Sequence, residues 1–135
     1  DTCSFVIRQR PIAVLQQMQV ASDRGDQLVI SAITYAELRL GVERSQAKQK
    51  HKLLVDAFVE RLDAILPWDA LAADQFAALQ AWLFSNGAPI GSNDTMIAAH
   101  VLSAEGVIVT NSVKHFGKVP ALVIENWCGG QNNAN

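Results

Sequence analysis

The sequence predicts an α/β fold in which a short parallel β-sheet is covered on both faces by helices. Three short apolar runs have the character of strands: Gln27–Ser31, Ala64–Leu66 and Val107–Thr110. Helical segments separate these runs, and Gly106 stands where one helix would stop before the next strand. Because strands that alternate with helices over short loops pair in parallel, the sheet is expected to lie between two helical layers.

Local signals mark the remaining elements. Pro11 suits the first position of a helix, and Thr34 and Glu37 have the spacing of a capping box, whose side chains satisfy free backbone N–H groups. An apolar strand is expected just before Asp1, so the first strand is predicted to be truncated in this sequence. The predicted helices cover Thr2 to about Arg8, Pro11 to about Arg24, Thr34 to about Ser45, Ala47 to Asp63, Asp69 to about Ser85, Asp94 to Glu105 and a turn at Val113 to Phe116, and the last strand covers Leu122 to Ile124.

The length of 135 residues suits one domain with a substantial core. Half of the residues are apolar and 18% are charged, which is typical of a globular protein and excludes a disordered chain. The longest uncharged stretch, Gln75–Asn93, holds several polar residues and Pro89, so it is not expected to span a membrane. Since no signal peptide is visible, we expect a cytoplasmic protein whose domain covers residues 1–128, with a disordered tail at 129–135.

The cysteines and the charges narrow the class of function only slightly. Cys3 and Cys128 lie at opposite ends of the chain without zinc-ligand spacing; free thiols fit a cytosolic protein, and a disulfide between the termini is the alternative. The net charge of −2 gives no overall sign of nucleic-acid binding. A local basic face is suited to a phosphate backbone, although an ordinary solvated helix face has the same composition. Its residues are Arg39, Arg44, Lys48, Lys50 and Lys52.

Three acidic residues stand at predicted helix starts: Asp1, Glu37 and Asp94. In an open α/β sheet such positions converge at one edge, where ligands bind. Carboxylates gathered there repel one another unless a cation lies between them, and oxygen-rich sites suit Mg²⁺ or Mn²⁺. The pattern therefore favours a metal-dependent enzyme that acts on phosphates. The structural alternative is that each acid caps a helix, which contributes about 1 kcal/mol per cap.

Four sequence blocks follow one another along the chain. They are D-T at the start, S-x-I-T-Y-A-E-L-x-x-G, G-x-P-I-G-x-N-D-x-x-I-A-A-H-x-L, and V-T-N-x-x-x-F-x-x-V followed by E-x-W. Together they resemble the PIN-domain ribonucleases, specifically the VapC toxins of bacterial VapBC toxin–antitoxin systems. The resemblance extends from Asp1 to Trp127, its most specific part is Gly87–His100, and it implies a PIN-like three-layer α/β/α fold.

The resemblance implies that Asp1, Glu37 and Asp94 are both the catalytic residues and the ligands of Mg²⁺ or Mn²⁺. The metal would activate water for attack on an RNA phosphodiester, because it lowers the pKa of bound water and neutralises charge on the phosphate oxygens. The implied function is that of a toxin, an endoribonuclease that cleaves structured RNA, most often tRNA.

The resemblance also implies partners. They are a VapB-like antitoxin, the RNA substrate and a second copy of the chain in a homodimer. The helices predicted at Thr34–Ser45 and Ala47–Asp63 are expected to form the walls of the groove that the antitoxin crosses.

The chain departs from the family pattern after the strand that ends at Thr110. Many PIN domains carry a fourth acid there, whereas Ser112 and His115 occupy those places in this chain. A second metal is therefore expected to bind more weakly or to need the RNA as a ligand. His115 itself is expected to be an incidental surface histidine rather than a substrate contact. Candidates for contacts to substrate or to metal-bound water, with turn or cap formation as the alternative, are Thr2, Ser92, Asn93, Thr110, Asn111 and Ser112.

The other histidine and the large aromatic residues favour packing over chemistry. His100 lies inside an apolar helical segment and is expected to be a core residue. Trp68, Trp82 and Phe84 are expected to be core or dimer-interface aromatics rather than platforms for base stacking.

Two other classes of function compete with the ribonuclease. A catalytically weak or inactive PIN module that binds RNA or a protein partner would explain both the absent fourth acid and the lack of a strand before Asp1. A Rossmann-like phosphatase with an aspartate nucleophile normally needs D-x-D-x-[TV], and the segment that starts at Asp1 lacks the second aspartate.

Overall fold

The computed structural model describes residues 3–6, 11–110 and 112–127, with side chains described from residue 16 onward. In this part of the chain, short strands alternate with helices. The strands are β1 (Cys3–Val6), β2 (Gln27–Ser31), β3 (Ala64–Leu66), β4 (Val107–Val109) and β5 (Val123–Glu125). The helices are α1 (Pro11–Asp23), α2 (Ala32–Glu43), α3 (Lys48–Glu60), α4 (Ala70–Ser85), α5 (Ser92–Ser103) and α6 (Val113–Phe116).

The strands form one parallel sheet in the order β3-β2-β1-β4-β5. At its centre, Phe5 of β1 is in register with Val29 of β2 on one side and with Ile108 of β4 on the other. Strands β2 and β3 are added on one side of β1, and β4 and β5 are added on its other side. The strand order therefore reverses direction at β1. Open α/β sheets bind ligands beyond the carboxyl ends of their strands at such a switch point.

One predicted helix is wrong. Residues Cys3–Val6 were expected inside a helix from Thr2 to about Arg8, and they form the central strand instead. The cap signals at Thr2 are local, whereas a central strand hydrogen-bonds to neighbours on both sides, and Phe5 and Val6 have side chains that suit a strand. The strand expected before Asp1 lies outside the sequence and stays a prediction.

Two hydrophobic clusters lie on opposite faces of the sheet. Alternate residues of a strand point to opposite faces, and accordingly Val29 belongs to one cluster while Leu28 and Ile30 belong to the other. The first cluster packs α4 and α5 against the sheet with Leu83, Ile97, Val101, Ile108 and Phe116. The second includes Met18 of α1, Val109 and the predicted packing residue Trp127, which is 7% exposed. The expected burial of both faces is therefore confirmed.

Most of the other predicted elements are confirmed within one to three residues. The α4 helix starts where predicted, with Asp69 Oδ1 accepting a hydrogen bond from the backbone N–H of Ala72 over 2.9 Å. Among the described residues, no helix is both long and apolar enough to cross a membrane. The predicted tail at 129–135 lies outside the described residues.

Candidate functional site

Glu37 lies in the second turn of α2 and does not cap it. The helix begins at Ala32 because Ser31, extended at the end of β2, accepts a hydrogen bond through Oγ from the N–H of Ile33 over 3.0 Å. The predicted capping box of Thr34 and Glu37 is therefore wrong. Thr34 lies inside the helix, where its hydroxyl is buried and has no hydrogen-bond partner among the residues that the structure describes. The Glu37 carboxylate instead accepts a hydrogen bond from Asn93 Nδ2 over 2.8 Å.

Asp94 also differs from its predicted role as a helix cap. The α5 helix starts two residues earlier than expected, and its N-cap is Gly91 at φ +95°, a conformation that glycine adopts readily. Thr95 strengthens this turn by donating through Oγ1 to the carbonyl of Gly91 over 2.7 Å. Asp94 is the third helical residue, and its carboxylate reaches outwards, where Oδ2 lies 3.3 Å from His115 Nδ1. The capping explanation thus fails for Glu37 and Asp94 alike.

His115 lies next to one of the candidate acids. It lies in α6, which follows β4 on the carboxyl side of the sheet, and its side chain is 50% exposed beside an Asp94 side chain that is 34% exposed. The expectation of an incidental surface histidine stays a prediction, and the structure adds that His115 contacts one of the candidate acids.

The remaining predicted site residues fall into three groups. Asn93 and Ser92 are exposed in the first turn of α5, and Asn93 joins the site through Glu37. Thr110 is 2% exposed, and its Oγ1 accepts a hydrogen bond from the N–H of Ser112 over 3.0 Å, so it shapes the turn after β4. Outside the described residues lie Asp1, Thr2 and Asn111.

The described side chains include two candidate acids that have no lysine or arginine partner within this part of the chain. Neither Glu37 nor Asp94 forms an ion pair with a lysine or arginine among the described residues, so both carboxylates remain available to a cation. Their oxygen atoms suit Mg²⁺ or Mn²⁺. Within 3–6, 11–110 and 112–127, however, no three Asp, Glu, His or Cys side chains form a group that could hold a metal. The sequence predicts a third ligand at Asp1, which lies outside the described residues.

The predicted basic face is partly neutralised by acids. Arg39 lies over the ring of Tyr35 and bonds to Asp56 over 2.7 Å, and Lys52 bonds to the same carboxylate over 2.8 Å. Hydrogen bonds from Lys52 and Arg39 lower the pKa of Asp56, so it stays ionised. Lys48 pairs with Glu43 in the same way. The α2–α3 surface is therefore a mixed-charge helix face rather than a continuous basic one.

Known proteins resemble this chain over most of its length. Residues 1–120 match the PIN domain. The chain is 35% identical over 128 residues to the tRNA(fMet)-specific endonuclease VapC of Salmonella typhimurium, an alignment that covers 95% of this chain and 94% of that protein. This chain belongs to the VapC family of PIN-domain proteins. Another VapC relative is ribonuclease VapC2 of Rickettsia felis, 31% identical over 127 residues, with 94% of this chain and 93% of that protein covered.

Solved structures of VapC proteins in complexes share the fold. The match to VapBC2 from Rickettsia felis bound to a promoter DNA fragment has a TM-score of 0.86 at 28% identity, and it covers 93% of this chain and 99% of that chain. The match to DNA-bound VapBC from Salmonella typhimurium has a TM-score of 0.84 at 30% identity, and it covers 95% of this chain and 100% of that chain. The predicted α/β class and the PIN-domain resemblance are both confirmed.

Proposed function

We propose that this VapC-family chain is a toxin and a metal-dependent endoribonuclease that cleaves structured RNA. The observation that carries this proposal is the hydrogen bond from Asn93 to Glu37, together with the contact between His115 and Asp94, the residue that follows Asn93. Two acids that are far apart in sequence are thereby brought to one accessible edge, and neither is neutralised there by a lysine or arginine of the described chain. The names of the relatives, which are ribonucleases and endonucleases, support the same activity.

The residues that would hold Mg²⁺ or Mn²⁺ are Asp1, Glu37 and Asp94. When bound, such a metal supplies activated water and compensates the charge that grows on the phosphate oxygens. Asn93 orients the Glu37 carboxylate by donating to Oε2, and His115 Nδ1 lies 3.3 Å from Asp94 Oδ2, where it can donate when it carries the proton. Because the four described side chains are accessible, an RNA phosphate can approach them without a change in the core.

Transfer RNA is the substrate class that we propose. The Salmonella typhimurium and Shigella flexneri relatives are named as tRNA(fMet)-specific endonucleases, at 35% and 34% identity. Recognition of RNA relies on loops and unpaired bases together with backbone contacts. Arg44 and Lys50, exposed on the α2–α3 surface, are the cations proposed for the backbone.

We propose a VapB-like antitoxin as the protein partner, because the structural relatives are VapBC complexes. An apolar segment of such a partner would cover Leu40 of α2 and Leu53 and Leu54 of α3, which are 56%, 63% and 61% exposed. A homodimer is proposed through α4, where Trp82 and Phe84 are 44% and 63% exposed. Burial of apolar side chains of this size stabilises an association.

Two observations favour a second candidate function, a PIN module that binds RNA or protein without cleaving. His115 stands in the segment where an acid is common in related domains, and the described residues by themselves do not complete a metal site. A module of this kind would bind tRNA equally well with and without divalent metal.

The test is cleavage of total tRNA by the purified protein in Mn²⁺, with and without EDTA. Glu37→Gln and Asp94→Asn are each expected to reduce cleavage by at least about 100-fold, because they remove metal ligands. Asp74→Asn, an exposed acid of α4, is the matched control and should cleave like the wild type. Cleavage that persists in EDTA and in both site variants would contradict the mechanism, and binding without cleavage would favour the second function.

A further inference from the structure

A buried chain of hydrogen bonds connects the start of α2 to the middle of α5. Ser31 Oγ lies 2.7 Å from His100 Nδ1 and also accepts from the N–H of Ile33 over 3.0 Å. Ser31 is 0% exposed and His100 is 3% exposed, so neither has water as a substitute partner at the surface. The expectation that His100 is a core residue is confirmed, but its polar contacts are more specific than simple packing requires.

The bonds at the two ends of this hydrogen-bonded series determine which of Ser31 and His100 donates to the other. His100 is hydrogen-bonded to the backbone of Pro67, and since proline has no N–H, the histidine ring must be the donor to the carbonyl. With Nδ1 facing Ser31, the donating nitrogen is Nε2, so Nδ1 is an acceptor in the neutral ring. The Ser31 hydroxyl therefore donates to Nδ1 while it accepts from Ile33. The Trp68 ring, whose centre lies 5.5 Å from the His100 ring centre at an interplanar angle of 83°, restrains the imidazole further.

The positions of these residues relate them to the candidate site. Ser31 caps α2, which carries Glu37, and His100 lies six residues after Asp94 in α5. Six residues correspond to about 9 Å along a helix. The buried bond between Ser31 and His100 and the accessible bond between Glu37 and Asn93 are thus two cross-links between the same pair of helices.

We propose that Ser31 and His100 are positioning residues whose hydrogen bond sets how α2 lies against α5, and so how Glu37 is placed relative to Asn93 and Asp94. Neither residue touches substrate. The consequence for catalysis rests on the proposed function of Glu37 and Asp94, whereas the consequence for geometry does not. A buried polar pair that served stability alone would change the unfolding temperature without changing the site.

The experiment follows the side-chain amide of Asn93 by NMR in the purified protein, because this NH₂ group reports its bond to Glu37. We compare wild type with Ser31→Ala, Ser31→Thr and His100→Phe. Leu83→Ala is the stability-matched control, because it removes a fully buried side chain that belongs to neither cross-link. Asn86, whose Nδ2 donates to the carbonyl of Trp82 over 2.8 Å, is an internal reference in the same spectra.

Ser31→Ala and His100→Phe are expected to shift the Asn93 signal and to speed its hydrogen exchange, while the Asn86 signal stays in place. Ser31→Thr, which retains a hydroxyl, should show the wild-type Asn93 signal. Leu83→Ala should lower the unfolding temperature without shifting the Asn93 signal. In tRNA cleavage well below the unfolding temperature, the first two variants should lose about tenfold in kcat with an unchanged KM.

Unchanged Asn93 signals in folded Ser31→Ala and His100→Phe would overturn the proposal, and so would an equal shift in Leu83→Ala. If the wild-type protein cleaves no RNA, the proposed function fails, but the Asn93 signal still decides whether Ser31 and His100 set the geometry. If Ser31→Ala or His100→Phe fails to fold, the Asn93 signals of Ser31→Thr and of the variant that does fold decide whether Ser31 and His100 set the geometry.

Discussion

Asn93 Nδ2 donates a hydrogen bond to Glu37 Oε2 over 2.8 Å, joining residues that are 56 positions apart in the sequence. The bond connects the first turn of α5 with the second turn of α2. The bond gives Glu37 an uncharged donor as its partner. The residue after Asn93 is the second candidate acid, Asp94. The carboxylate of Glu37 is thereby oriented without being neutralised, which is what a cation ligand requires.

Replacement of Asn93 by alanine should lower kcat for tRNA cleavage by about tenfold, because Glu37 loses its orienting partner. The bond is accessible to water, so the free energy of unfolding should change by no more than about 1 kcal/mol. The matched control is Asn86→Ala, which also removes an asparagine Nδ2 donor at a helix end but lies at the end of α4. Equal activity in both variants would show that the Glu37 bond is dispensable.

Replacement of His115 by glutamate should make stability depend more strongly on divalent metal. A carboxylate facing Asp94 repels it in EDTA and lowers the unfolding temperature, whereas a cation bound between them offsets the repulsion. The rise in unfolding temperature on adding Mn²⁺ should therefore exceed that of the wild type. His115→Gln, which keeps the size but adds no charge, serves as the control, and identical thermal shifts in all three proteins would place the metal elsewhere.

Two leucines of α4 should differ sharply in their contribution to stability. Leu83 is 0% exposed and belongs to the cluster that packs α4 and α5 against the sheet, whereas Leu71 is 66% exposed. Urea denaturation should show a loss of about 2–5 kcal/mol for Leu83→Ala, from lost burial and the cavity left behind. Leu71→Ala should stay within about 0.5 kcal/mol of wild type. A large effect of Leu71→Ala would indicate that this residue is covered in solution.

Stability should decline on mild acidification because of His100. Burial lowers the pKa of His100 below 6.5, an effect that the charge of Asp69 and the hydrogen bond to Pro67 only partly oppose. The unfolded chain therefore takes up the proton at a higher pH than the folded chain does. As the pH falls below about 6.5, the free energy of unfolding decreases until the folded-state pKa is passed, and above that window this contribution is constant.

The measurement is the free energy of unfolding in urea across this pH range. His100→Phe should lack this part of the pH dependence, since the titrating ring is gone. His51→Gln removes a partly exposed histidine of α3 and should retain the wild-type slope. Parallel curves for wild type and His100→Phe would contradict the assignment of a buried neutral imidazole.

The sequence by itself determined the elements and the family of this protein. Apolar runs at Gln27–Ser31 and Ala64–Leu66 were recognisable as strands, and Pro11 and Asp69 marked helix starts that the structure confirms. These signals are local, because they depend on residues within about one helical turn or on alternation along a strand. The same locality explains the failure at Cys3–Val6, where pairing on both sides in the sheet outweighed cap signals.

Only the tertiary structure decided which partners the acids have. Glu37 and Asp94 were identifiable as candidates from their places in the sequence, but both had a cap explanation that only the observed helix starts removed. The bonds from Asn93 to Glu37 and between Ser31 and His100 span 56 and 69 residues, and the contact of His115 with Asp94 spans 21. Contacts at such separations depend on the angles at which helices pack against the sheet, and those angles are set by the whole core rather than by any local pattern.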